Sequence, residues 1–201
     1  GLTNLASSSC CWFYIKALGG GQLLMTNLVS IGSGYVDVVA EGGESVVDMG
    51  ALREVLGTSY PIAMAARSGG TVWVPQLLGG PQLEVTVRPG GRMPTAQLRQ
   101  VNSATADGVA MDLGAVTNVV AGGAVSVANG GTITAGSVEE IDGASLYVSG
   151  GGVMALPGVR AWQNAGTGPT WQASGTNSVL ELPGLTNLAS SSCCWFYIKA
   201  L

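Results

Sequence analysis

The chain has no histidine at all. That absence removes Ser-His-Asp triads, imidazole acid/base chemistry and His-ligated metal sites together. Charge is scarce as well: only 10% of residues are Asp, Glu, Lys or Arg, against about 25% in an average soluble domain. Eight basic and twelve acidic residues leave a formal charge of −4, too few cations for a surface that tracks phosphates, so nucleic acid is not an expected partner. No apolar run reaches eighteen residues and the first residues carry no basic cluster. Neither membrane insertion nor a signal peptide is therefore expected within these residues. What is abundant is apolar side chain, 47% of the chain, and glycine, 32 of 201 residues. The first supplies a core and excludes disorder; the second is about twice the usual share and implies frequent corners.

Residues 1–18, GLTNLASSSCCWFYIKAL, return unchanged at 184–201, an offset of 183. Chance does not produce such a match. The simplest reading is a window on tandem 183-residue units, with 1–183 forming one unit and 184–201 the start of the next. An end duplicated on its own is the alternative.

A shorter period lies inside the long one. The stretch LELPGLTNL has apolar residues at its first, third, sixth and ninth positions, and the spacing recurs eight times. The sets are Leu23, Met25, Leu28, Ile31; Val47, Met49, Leu52, Val55; Val72, Val74, Leu77, Gly80; and Met93, Thr95, Leu98, Val101. They continue with Met111, Leu113, Val116, Val119; Ile133, Ala135, Val138, Ile141; Met154, Leu156, Val159, Trp162; and Leu180, Leu182, Leu185, Leu188. All but Gly80 and Thr95 are apolar, roughly twice the proportion that composition alone gives. The steps between sets run from 18 to 26 residues, and eight of them fill the 183-residue unit.

Most sets are preceded by a period-two alternation closed by two glycines. Phe13, Ile15 and Ala17 stand before Gly19-Gly20, and Val36, Val38 and Ala40 before Gly42-Gly43. Alternation of period two is a strand with one buried face, and a glycine pair is a corner. No helical stripe persists for ten residues. The pattern predicts an all-β fold, a single continuous β-solenoid over 1–201, with coils of about 23 residues stacked eight to a unit. Leu23, Met25, Leu28, Ile31, Val47, Met49, Leu52 and Val55 should all be buried. Residues 93–110 lack a glycine pair and should form a shortened or irregular rung.

At LELPGLTNL, MDLGAVTNV and MALPGVRAW the sequence resembles the right-handed β-helix repeats of very large bacterial surface and secreted proteins. The resemblance implies an extracellular or cell-surface location and a structural role. Leucine-rich repeats share the L-x-L-x-x-L spacing and stand as the rival reading. They fit less well, because no fixed Asn or Cys follows the motif and helix formers are few.

Enzymes with this fold class bring carboxylates from adjacent coils to one outer face. The outward column here reads Glu181, Leu24, Asp48, Trp73, Pro94, Asp112, Thr134, Ala155, in which no two acids are neighbours. Glu139, Glu140 and Asp142 belong to one coil, and Arg160 falls beside Glu139 as an expected cross-coil ion pair. No catalytic residue, cofactor or metal site is assigned.

Cys10 and Cys11 recur as Cys193 and Cys194. A Cys10–Cys193 bridge would have to span eight rungs, about 38 Å, where bridged Cα atoms lie about 4.4–6.8 Å apart. A cross-link between chains, a vicinal bridge and free thiols remain open. With Phe13, Ile15 and Ala17 inward, Trp12, Tyr14 and Lys16 face outward, and Trp73 does so between inward Val72 and Val74. Outward aromatics suit lateral self-association or stacking on glycans. The resulting expectation is a rigid fibre whose partners are further copies of the same repeat, with a glycan-binding adhesin as the alternative and a β-helix carbohydrate-active enzyme behind both.

Overall fold

The computed structural model describes residues 1–6, 12–32, 34–57, 59–164, 166–190 and 195–201. Among them every regular element is a strand, and every strand pairing is parallel. The chain winds as a three-faced β-solenoid of about eight turns, roughly 23 residues apart.

The first face is a nine-stranded sheet. It runs Trp12–Leu18, Tyr35–Glu41, Ile62–Arg67, Leu83–Val87, Gln100–Asp107, Asn118–Ala128, Ser145–Ser149, Thr170–Ser174 and Tyr197–Ala200, and these strands number the turns from first to ninth. Its inward residues alternate with outward ones, as in Ile62–Arg67, where Ile62, Met64 and Ala66 are buried. Successive inward partners are Ile15, Val38, Met64, Val85, Ala104, Val125, Leu146, Trp171 and Ile198. Ile198 lies 183 residues after Ile15, in the repeated segment. Eight turns therefore return the chain to the same residue of its own sequence repeat.

The recurring apolar motif builds the other two faces and the corner between them. Its first residue lies on the second face, as Leu23, Val47 and Val72 do in register. Its ninth lies on the third, as Leu5, Ile31 and Val55 do. Between its third and sixth residues the backbone closes a β-turn in every coil: the Leu28 N–H donates to the Met25 carbonyl at 2.9 Å, Leu52 to Met49 at 2.9 Å, and Leu185 to Leu182 at 3.1 Å. The i, i+3 spacing of the motif is thus the spacing of a hydrogen-bonded turn whose two ends both point inward. Asp48 and Asp112 fix this turn from outside, each Oδ1 accepting the N–H two residues on, from Gly50 at 2.9 Å and Gly114 at 2.7 Å.

The two glycines of a corner serve different ends. Gly69 has φ +91°, a conformation that side chains disfavour. Gly70 instead lies so close to the preceding turn that a Cβ would collide with the Ala40 carbonyl. At two corners a serine completes the bend. Ser45 Oγ accepts from the Gly20 N–H at 2.9 Å and donates to the Glu41 carbonyl at 2.7 Å, and Ser178 does the same between Gly151 and Ser174.

The expected irregular rung is present, and it interrupts the ladders of both the second and the third faces. The second face is split into the strands Gln22–Leu24, Val46–Asp48, Thr71–Trp73 and a separate sheet of Ala110–Asp112, Thr132–Thr134, Val153–Ala155, Val179–Glu181. The ladder reaches Arg92 through a single bridge from Thr71 and stops at Pro94, which has no N–H to donate. The first face stays paired across the same step, Val85 to Ala104, and the Thr95 hydroxyl donates to the Asp112 carbonyl at 2.6 Å across the gap.

Burial follows the motif except at its two end sets and at Met93, with Leu180, Leu182 and Leu185 half-buried and Leu188 exposed at the far end. Leu28, Ile31, Val47, Met49, Leu52 and Val55 are buried, whereas Met25 is only half-buried and Leu23 is 37% exposed. Gln22–Leu24 is the edge strand of its sheet, so no described rung covers the far side of Leu23. Aromatics fill the core at the opposite end, where Trp162, Trp171 and Phe196 pack with ring centroids 4.1–5.4 Å apart. The Trp171 indole N–H donates to the Ala144 carbonyl at 3.2 Å.

Candidate interaction surface

The outer surface of the first face is a lattice of side chains set by strand register. One column reads Tyr14, Asp37, Ala63, Glu84, Ser103, Ala124, and the next reads Lys16, Val39, Ala65, Thr86, Thr105, Ser126. The bulk is concentrated at one end. Trp12 and Tyr14 are 57% and 60% exposed, with the Trp12 ring 3.7 Å from that of Tyr35 and 6.1 Å from that of Tyr14. Lys16 lies 4.7 Å over the Tyr14 ring and 2.9 Å from Asp37 Oδ2. The repeated segment keeps the same pose: Trp195 and Tyr197 are exposed and Lys199 lies 4.8 Å over the Tyr197 ring. All three outward residues expected of Trp12, Tyr14 and Lys16 therefore share one patch.

Trp73 also faces outward, 46% exposed, but on the second face. It borders a groove of about 540 Å³ opened by the Pro94 break, lined further by Arg92, Met93 and Met111. Trp73 and the Trp12 patch are thus separate features on different faces. Cys10, Cys11, Cys193 and Cys194, the expected cross-link candidates, lie outside the described residues.

A second groove, about 650 Å³, lies on the third face and contains Glu139, Glu140, Asp142 and Arg160. The expected register holds there, since Glu139 and Arg160 line the same groove, but the expected ion pair does not form. The three ion pairs among the described residues are Lys16–Asp37, Arg67–Glu41 and Arg88–Asp107. The Arg160 guanidinium lies instead against Gly184 of the following turn, where the missing side chain leaves room. Two of the acids are engaged locally: Glu140 accepts from the Asn118 side-chain amide at 2.8 Å and Asp142 from the Gln163 N–H at 2.7 Å. Among the described residues no three His, Cys, Asp or Glu side chains are grouped to hold a metal ion.

Glu84 is the electrostatic exception on the first face. Its strand neighbours across the sheet are Ala63 and Ser103, so no cation stands beside it, and burial pushes its carboxyl above the ordinary value. The ion pairs Arg67–Glu41 and Arg88–Asp107 sit along the corner column. A raised folded-state pKa means that the folded chain binds the proton more tightly than the unfolded chain. Stability from this group is therefore full below the ordinary carboxyl pKa and is lost as pH rises through the raised value. Urea midpoints of the dilute chain should fall over that interval, and Glu84→Gln should flatten the fall without lowering stability at neutral pH. An unchanged pH slope in Glu84→Gln would place the effect elsewhere.

No family model, curated protein or solved structure matches the chain.

Proposed function

We propose that the chain is a length of rigid extracellular or cell-surface fibre, built from tandem 183-residue units stacked as one uninterrupted solenoid. The observation that carries this reading is the register of the first face, which leads from Ile15 through eight pairings to Ile198, its own counterpart in the sequence repeat. A junction between units is then one more turn of the same kind. The end rungs suit that continuation, since Leu23 at one end and Leu188 and Ile198 at the other present apolar side chains to solvent. Each added turn pairs its strands with those before and after, which removes sheet edges along the rod and gives stiffness. No catalytic step, cofactor or metal enters this role.

The test is a chain carrying two full units, imaged by electron microscopy beside the single-unit chain. The rod should lengthen by about 38 Å, eight rungs at about 4.8 Å each, at constant width. Two bodies joined by a flexible link, or a compact particle, would refute the continuous fibre.

A second reading has its own support. Trp12, Tyr14 and Trp73 are the exposed aromatics expected of an adhesin that stacks on sugar rings. It requires binding on a glycan array that is lost in Trp12→Ala or Trp73→Ala.

A further inference from the structure

We propose that copies of this chain assemble head to tail by exchange of the repeated segment, residues 1–18 of one copy taking the place of residues 184–201 on the strands Ala161–Asn164 and Thr170–Ser174 of another. The two segments are identical, yet each uses only one of its two edges. Residues 184–201 pair backward along the rod, with Leu188 on Trp162 and Ile198 on Trp171. Residues 1–18 pair forward, with Leu5 against Ile31 and Ile15 against Val38. The backbone shows the same division at one threonine of the repeat. The Thr186 N–H donates to the Arg160 carbonyl at 2.8 Å, while the carbonyl of its counterpart Thr3 accepts from the Val29 N–H at 2.8 Å. Among the described residues no strand pairs with the far edge of either segment, and Leu188 and Ile198 are left exposed. One rung set between the eighth turn of one copy and the second turn of the next uses both edges.

The surface that receives the segment is defined by the one that now occupies it. Phe196 packs on Trp162 and Trp171, with ring centroids 4.1 and 5.0 Å away, and Gly184 leaves room for the Arg160 guanidinium. In the exchanged rung Phe13 and Gly1 stand at these places, residue for residue. The contacts on the receiving turn therefore cancel, and those of residues 1–18 to their own second turn are kept. What remains is the chain freedom regained by the released segment, set against the freedom lost when two copies join. Assembly then depends on concentration, and the contact, being heterologous, continues into an open rod. Copies that merely abutted, the first rung on the ninth, would set Lys16 directly on Lys199, a destabilising like-charge pair. Exchange instead places Lys16 between Gln172 and Asp37. The inference rests on the repeat that carries the fibre reading and extends it from units within one chain to separate chains.

The experiment is sedimentation velocity of the 201-residue chain over a dilution series, under reducing conditions so that no cysteine cross-link contributes, with circular dichroism confirming the fold of each variant. The native chain should form concentration-dependent oligomers, seen by electron microscopy as rods that grow by about 38 Å per copy, eight rungs at about 4.8 Å each. Phe196→Ala loosens the segment that must leave and should strengthen assembly by about tenfold or more. Phe13→Ala weakens the segment that arrives and should reduce assembly by a similar factor. The two changes together should return it to the native level, because equal losses on the receiving turn cancel. Non-specific sticking of uncovered tryptophans would not be reversed by Phe13→Ala, so the double variant is the decisive arm. Chains that stay monomeric even as Phe196→Ala, single changes that act in the same direction, or a double variant that stays away from the native level would each overturn the proposal. None of these results alters the rod length of the two-unit chain, so the two readings fail on different measurements.

Discussion

Leu52→Ala should lower the unfolding free energy by about 2 to 5 kcal/mol, the range for removing a buried leucine where the surroundings relax only partly. Leu52 is fully buried and belongs to the continuous core, and its N–H closes the β-turn onto Met49. Its counterparts Leu28 and Leu77 occupy the same place in the coils before and after and are equally buried. In a solenoid each turn is supported only by its neighbours, so a cavity here weakens the contacts on both sides of the coil. Urea unfolding should show a lower midpoint with an unchanged slope. Leu23→Ala, at an exposed edge rung, is the internal comparison and should cost less than about 1 kcal/mol. Equal losses at the two sites would contradict the stacked core.

Gly79→Ala should be comparably damaging, by about 2 to 4 kcal/mol, although it adds a single methyl group. Gly79 has φ +104°, and a Cβ there would collide with the Gln100 carbonyl oxygen. Its neighbour Gly80 donates its N–H to that same carbonyl at 3.1 Å, and a Cβ on Gly80 would strike the Val55 carbonyl. The two glycines therefore let three successive rungs of the third face approach closely. Alanine must either push the rungs apart or abandon the hydrogen bond. Gly43→Ala is the matched control, because no atom lies within 4 Å of its Cβ position and its φ is not in the positive region. It should be neutral or stabilising by up to about 1 kcal/mol, through the unfolded chain. Thermal melts of the two variants separate the cases, and a harmless Gly79→Ala would show that the rungs do not meet there.

Gly80 and Thr95 also show how local exceptions to a repeat acquire meaning. Both occupy motif positions where apolar residues are otherwise the rule. Gly80 is buried because the neighbouring backbone fills the space a side chain would take. Thr95 is 6% exposed because its hydroxyl is satisfied by the Asp112 carbonyl.

The sequence alone determined which side chains point inward and how many turns fill a unit. A period of two leaves only one face of a strand for the core, so Ile15, Val38 and Met64 had to stack and Trp12, Tyr14 and Lys16 had to face out. The same rule placed Leu24, Asp48, Trp73, Pro94, Asp112, Thr134, Ala155 and Glu181 in one outward column, and the register pairs them in two runs, Leu24 to Trp73 and Asp112 to Glu181, with the break at Pro94 between them. Tertiary structure decided what depends on the distance between turns and on where long side chains reach. Pro94 breaks the second face while the first stays paired, the Asp48 and Asp112 carboxylates bind their own turns, Trp171 enters the core beside Trp162, and Arg160 swings to Gly184 instead of Glu139. Side-chain alternation is a property of a single strand and can be read along it. The direction of a guanidinium, or the room beside a glycine, is set by residues some twenty positions away that only the winding of the chain brings near.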